Sequence, residues 1–384
     1  MAEPQSLLVQ FFQEHYSPIR ERMFLAIDAP SLLMLSGTCQ ALRTGIHTLW
    51  DINRRLRRFF DEPAVFRSKL AQCDALICGS FALQFFEGVY WKESGLDIKV
   101  KYGKNVKTLH DFVINEAGYT LSDKNEEWVR LARDKDQSQR DEYHRVYVGF
   151  VAESECRTYY RRNATSGVLK VQLIVTWEIP LHIILRRYYT SCFLNFITWD
   201  AAYSMFPRTT FGEHKTIQQR ASCDQREWYR AKYRERGFVM AISPTHAGLA
   251  EWGSKFDGQH YPRRVGDRRT WTMRLDTEGV TPSSTPTVVF ETHTFAISHK
   301  LEWNPLKLCR IEANLINSQA LEHTYIQWSH CTAWVKLRGL LRNSMLDQLQ
   351  RPDPEQYQKL TGTTPEGPDA PDFVEVDGMT NIPR

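Results

Sequence analysis

Helical and alternating hydrophobic periods succeed one another along this sequence. Together they predict a mixed α+β and α/β protein: an N-terminal helical module, a mixed sheet with helices, and a β-rich C-terminal subdomain with a closing helix. Three observations carry that expectation. Leu35, Cys39, Leu42, Ile46 and Leu49 recur at steps of four and three, which is one apolar stripe on a helical surface. Leu96, Ile98 and Val100 alternate with Asp97 and Lys99, and Val171, Leu173 and Val175 alternate with Lys170, Gln172 and Ile174, the period-two pattern of half-buried strands. The 384 residues, 42% hydrophobic with 11 Trp, 16 Tyr and 20 Phe, hold enough apolar surface for a large core and argue against global disorder.

The elements follow in order. Residues 1–17 form an N-terminal segment, and 18–65 a helical module. Ser17-Pro18 offers a helix start, Asp28-Ala29-Pro30 breaks that first helix, and Ser36-Gly37 is placed to split the next. From Leu49 to Phe60, Ile52, Leu56, Phe59 and Phe60 lie on one side and Arg54, Arg55, Arg57 and Arg58 largely on the other. Residues 66–240 change to α/β. A short apolar run ends at Cys78, Gly79-Ser80 turns the chain, and Phe81 to Phe86 reads as a short helix before the strand at Leu96. Val106, Leu109, Phe112 and Val113 mark a helix ending near Gly118, and the charged stretch 123–145 reads as an exposed insertion. Residues 146–153 and 167–177 are expected as paired strands, joined by a polar connection through Asn163. In 241–349, residues 270–275, 287–297 and 308–316 are expected as strands, closed by a helix from Ser318 to Leu349.

Charge and cysteine usage bound the class. The net charge is +4, but from Arg351 onward seven Asp and Glu face three Lys and Arg among six Pro, so residues 350–384 are expected to be a disordered acidic tail on a basic body. Eight scattered Cys with no CxxC pair read as reduced and structural. The acidic N-terminus lacks the charge pattern of a signal peptide, and the most apolar stretch, Val168 to Leu185, contains Lys170, Glu178, Pro180 and His182, so neither secretion nor a membrane span is expected. The expected location is intracellular, cytoplasmic or nuclear.

Residues able to carry chemistry are few. Gly79-Ser80 at a strand-to-helix junction can turn backbone N–H groups toward a phosphate, with Lys99 and Lys170 supplying charge from the sheet. Arg220, Arg226, Arg230, Lys232, Arg234 and Arg236, interleaved with Trp228, Tyr229 and Tyr233, form a basic aromatic helix that suits a nucleic-acid backbone, although Asp224, Glu227 and Glu235 dilute it. Arg263, Arg264, Arg268 and Arg269 make a second basic patch. The twelve His show no zinc spacing, and no GxSxG elbow or Walker loop occurs.

Two resemblances add to this reading. The proline-led helical start and the run from Ser31 to Leu42, with Leu32, Leu33, Leu35, Cys39 and Leu42 in register, resemble an F-box; this implies partner-binding leucines at 32, 33, 35 and 42 for a Skp-type adaptor of a cullin ubiquitin ligase. The order strand, Gly-Ser, short helix, loop, Asp-bearing strand over residues 73–178 resembles the nucleotidyltransferase superfamily. There the Gly-Ser backbone meets nucleotide phosphate, and three carboxylates on neighbouring strands hold two divalent metals. By that resemblance Asp97 is the one retained catalytic and metal-binding carboxylate. Gly95 stands where the first would be and Gln172 at the third. From roughly 20 to 220 the chain resembles a family of uncharacterised fungal proteins that join an F-box-like N-terminus to a nucleotidyltransferase-like domain; within it Tyr189-Thr190-Ser191-Cys192 stands where that family often reads His-Ser-Thr-Cys. The implied function is a non-catalytic binding or scaffold protein, a pseudo-enzyme with a nucleotide site at Gly79, Ser80, Lys99, Lys170 and Gln172. No cofactor is expected. The alternatives are a ubiquitin-ligase substrate adaptor and a divergent Mg²⁺-dependent nucleotidyltransferase using Asp97.

Overall fold

The computed structural model describes residues 26–122, 153–163, 167–219, 224–241, 262–298, 310–316 and 321–328. The expected first helix lies almost wholly outside them, as do the 123–145 insertion, most of the expected 146–153 strand, the closing helix from Ser318 and the acidic tail.

Four helices lead in: α1 (Ala29–Ser36), α2 (Gln40–His47), α3 (Ile52–Leu56) and α4 (Pro63–Cys73). Asp28 starts α1 by accepting from the Ser31 backbone N–H at 2.7 Å, and the helix stops at Gly37, the break that Ser36-Gly37 predicts. Leu32, Leu42, Ile46, Leu56, Phe60 and Phe66 are buried in one core together with Phe86, Ile98 and Val171, so these helices pack directly on the sheet. Leu32 and Leu42, expected to meet a partner, therefore face inward, and Leu33 and Leu35 are half-buried against the same core. The exposed apolar residue of α1 is Met34.

Then come β1 (Leu76–Cys78), α5 (Gly79–Glu87), β2 (Leu96–Lys101), α6 (Lys104–Asp111) and β3 (Thr120–Leu121). They are followed by β4 (Glu153–Asn163), β5 (Gly167–Thr176), α7 (Pro180–Arg187), β6 (Asn195–Ile197) and β7 (Ala201–Ser204). The rest are β8 (Lys215–Ile217), α8 (Asp224–Glu235), β9 (Val239–Ala241), β10 (Arg263–Arg264), β11 (Trp271–Arg274), α9 (Thr287–Glu291), β12 (Thr294–Ser298), β13 (Arg310–Glu312), β14 (Asn314–Ile316) and β15 (Tyr325–Gln327). Eight strands form one mixed sheet in the order β11-β7-β6-β1-β2-β5-β4-β3, in which β2 and β5 run parallel and the other pairs antiparallel. Ile98, Val100, Val171 and Leu173 belong to the core on one face; Leu76, Cys78, Leu181, Ile184 and Phe196 belong to a second core that also takes Val265, Phe295 and Ile311 from the C-terminal strands. No helix among the described residues is long and apolar enough to cross a membrane.

Three expectations change. The polar connection before Asn163 is itself a strand, β4, the longest among the described residues, and it is tied to distant segments: Arg161 donates to the carbonyls of Ala117 and Phe59 and pairs with Asp61 at 3.2 Å, while Tyr159 is buried. Residues 287–291, expected as strand, form α9, which sets the Phe290 ring against Phe196 and Tyr203 and ends on Glu291, which accepts from the Tyr203 hydroxyl at 3.0 Å. β11 is placed beyond the expected boundary at residue 241, yet pairs with β7 from Trp271↔Ser204 to Arg274↔Ala201 as an edge of the main sheet.

Where α1 meets the sheet domain, Glu87 at the end of α5 lies 3.5 Å from the His214 ring, with Asp28 close by. Burial, with repulsion from Asp28 adding to it, pushes the Glu87 carboxyl up to about 7 from its ordinary 4.5. A raised carboxyl favours folding below pH 4.5, and that contribution is lost as pH rises through 7. Wild type should therefore lose about 2–3 kcal/mol of stability between pH 5 and 8 that Glu87→Gln does not lose, read by urea denaturation at each pH.

Candidate functional site

β1 is short and wholly apolar, and its end at Gly79 adopts φ +68°, a left-handed turn suited to glycine that starts α5 at once. A Cβ at residue 79 would lie 2.4 Å from Asp97 Oδ2, so the Asp97 carboxylate rests directly over the start of α5. Ser80 does not cap this helix. Its buried hydroxyl shares a 2.5 Å hydrogen bond with the Ser94 hydroxyl, tying the β1–α5 turn to the loop that enters β2.

Strand register brings the expected residues together. Asp97 sits beside Cys78 of β1 and Gln172 of β5, and neighbours directly across a sheet share a face. Lys99, two residues along, and Lys170, two residues back, lie on that face as well. Lys99 is 1% exposed, with its ammonium 5.3 Å from the centre of the Tyr188 ring. Gln172 is in the expected position, but its amide nitrogen is turned to β4, toward Thr158 Oγ1 and Cys156 Sγ at 3.3 Å each.

The key contact concerns Gly95. A Cβ there would lie 2.8 Å from Cε of Lys170 and 2.9 Å from its carbonyl oxygen. The lysine thus occupies the space that a side chain at 95 would need. Glycine at 95 and lysine at 170 are two parts of one arrangement.

The basic helix α8 completes the site, which the sequence did not reveal. Its Tyr233 is buried edge-on to Phe193 at 4.7 Å, and just after the helix Arg236 pairs with Glu93 at 2.6 Å while stacking over Trp91 at 3.8 Å. This anchoring brings Lys232 within electrostatic reach of Asp97 and Lys170. Burial first, then repulsion from Arg236 and Lys170, lowers the Lys232 ammonium from its ordinary range, with Glu93 and Asp97 acting in the opposite sense. The usable signal was the i, i+4 spacing of Lys232 and Arg236, which puts both on one helical face.

Divalent metal chemistry fits these residues poorly. Two Mg²⁺ ions need several converging oxygen anions, whereas Asp97 shares its surroundings with Lys170 and Lys232. Among the described residues no group of three or more His, Cys, Asp or Glu gathers as a metal site. Two of the described thiols are poor nucleophiles, since burial pushes Cys192 and Cys73 up to about 11. The arrangement sets the Asp97 carboxylate over the start of α5, with Lys170 and Lys232 near enough to act on each other and Asp97 near enough to act on Lys232.

Within the second basic patch Arg264 and Arg268 are exposed, but Arg263 is not. Arg263 is fully buried, bidentate to Asp267 at 2.7 and 2.9 Å. Of the expected basic helix, Arg220 and the side chains of 224–229 lie outside the described residues. No family model matches the chain, and neither a curated protein nor a solved structure matches it.

Proposed function

We propose that this protein is a non-catalytic binding protein, a pseudo-enzyme on a nucleotidyltransferase-like fold, which takes a nucleotide phosphate without metal. One observation supports the reading: the Lys170 side chain lies against Gly95, so a lysine fills the space where that resemblance expects a carboxylate with a divalent cation. Lysine serves as a point charge for phosphate, and it needs no coordination shell. Lys99 and Lys170 supply the countercharge on the sheet.

The test is calorimetric titration of AMP, ADP and ATP into the full chain, in EDTA and in Mg²⁺. Binding is expected in EDTA, weakened tenfold or more by Lys170→Gln. Asp97→Asn should leave it intact or tighter, because the substitution removes a carboxylate that repels phosphate. A metal-dependent transferase gives the opposite pattern, with binding in Mg²⁺ only and loss in Asp97→Asn. That pattern would overturn the reading.

A further inference from the structure

Residues 276–286, in the connection from β11 to α9, form neither helix nor strand and lie along α4 as a strap. Gly279 stands by the first turn of the helix, where a Cβ would lie 3.7 Å from that of Ala64. The Thr281 backbone N–H donates to Ser68 Oγ at 2.9 Å. At the far end Asp74, just past the helix, accepts from Ser283 Oγ at 2.8 Å and from Thr285 Oγ1 at 3.2 Å. Ser283 and Thr285 also line a cleft with Leu70, Trp199, Tyr203 and Phe290, so the strap forms one wall of it.

Two threonines of the strap precede proline, Thr281-Pro282 and Thr285-Pro286. Both prolines are exposed, and Pro286 holds extended backbone at φ −62° and ψ 142°. Among the described residues the half-buried Thr285 hydroxyl has one hydrogen bond, the one to the exposed Asp74 carboxylate. Hydrogen bonds this open to water contribute little, so the strap can lift while the core stays folded. Proline carries no N–H and fixes its own φ, which marks the residue before it for an enzyme that binds extended chain.

We infer that Thr285 is a phosphorylation site for a proline-directed kinase, and that the phosphate drives the strap off α4. The inference is independent of the nucleotide site. The γ-phosphoryl group of ATP passes to Thr285 Oγ1: a P–O bond forms there, the bond to the ADP oxygen breaks, and the hydroxyl proton goes to the kinase's base. The product sets a phosphate of charge about −2 against the Asp74 carboxylate at the C-terminal, negative end of α4. Asp200, which accepts from Thr287 Oγ1, adds to the repulsion. The cations of α4 are engaged elsewhere: Arg67 on the Trp199 carbonyl and Asn53, Lys69 with Glu116 at 3.2 Å. Repulsion thus replaces the hydrogen bond that fastened the strap.

The experiment treats the full chain with ATP and a mitogen-activated protein kinase, maps phosphate by mass spectrometry, and follows the strap by amide hydrogen exchange. Wild type, Thr285→Val, Thr285→Glu and Asp74→Asn are compared. Phosphate is expected on Thr285, with exchange in the strap about tenfold or more faster than in the unmodified chain and unchanged in β2 and β5. Thr285→Val should show no change on kinase treatment, and Thr285→Glu, which needs no kinase, should speed exchange in the same direction. Asparagine suits the left-handed backbone at residue 74, φ +46°, so Asp74→Asn keeps the turn. There the phosphate should speed exchange about threefold at most, because the repelling charge is gone. Phosphate confined to Thr281, or none taken up, overturns the site. A Thr285 phosphate that leaves exchange unchanged, or acts equally in Asp74→Asn, overturns the release.

Discussion

Arg263→Ala is expected to cost about 3–5 kcal/mol of folding stability, a larger loss than any other single substitution considered for this protein. The guanidinium is fully buried, bidentate to Asp267, and donates to the Met205 carbonyl at 3.0 Å and to Thr270 Oγ1 at 3.1 Å. It lies between the rings of Phe206 and Phe295, 5.5 and 5.6 Å from their centres. Removing it strands a half-buried carboxylate, leaves a carbonyl and a hydroxyl unsatisfied, and opens a gap between two aromatic rings. Asp267 also accepts from the backbone N–H groups of Arg264, Arg269 and Thr270, so its charge organises the whole turn. Arg268→Ala in the same run is the control: that residue is exposed, and its loss should stay within about 0.5 kcal/mol. Urea midpoints for the two variants decide the matter, and equal midpoints would mean that the patch is solvated surface after all.

Gly79→Ala should cost about 2–4 kcal/mol. Part of this is backbone: at φ +68° an alanine bears about 1–2 kcal/mol of left-handed strain. The remainder is overlap of the new methyl with Asp97 Oδ2, 2.4 Å away, which forces the carboxylate or the helix start to move. These two parts separate in a double-mutant cycle. In an Asp97→Ala background the overlap disappears and the strain stays, so Gly79→Ala should then cost only about 1–2 kcal/mol. A coupling energy near zero between the two positions would show that Asp97 does not rest on the start of α5, and the site geometry would fail with it.

Local pattern reached far into this fold. Alternation identified β2 and β5 and put Asp97, Lys99, Lys170 and Gln172 on one parity, and the split at Gly37 and the helix from Lys104 followed from side-chain spacing. Parity is decided by neighbours two residues apart, which is why it can be read locally. The β4 strand and the α9 helix escaped because partners distant in sequence overrode local preference: Phe59 and Ala117 carbonyls for Arg161, and Phe196 and Tyr203 for Phe290.

Residue types and strand parity, and with them the absence of a carboxylate at 95 and 172, were thus settled by the sequence alone. Which charges surround Asp97 was decided by tertiary structure. Lys170 meets Gly95 only through the parallel register of β2 with β5, and Lys232 comes within electrostatic reach of Asp97 only because Tyr233 and Arg236 dock α8 beside Trp91. The reason is physical: an ion's energy depends on every charge within a few ångströms, and those neighbours come from segments that only the folded chain brings together.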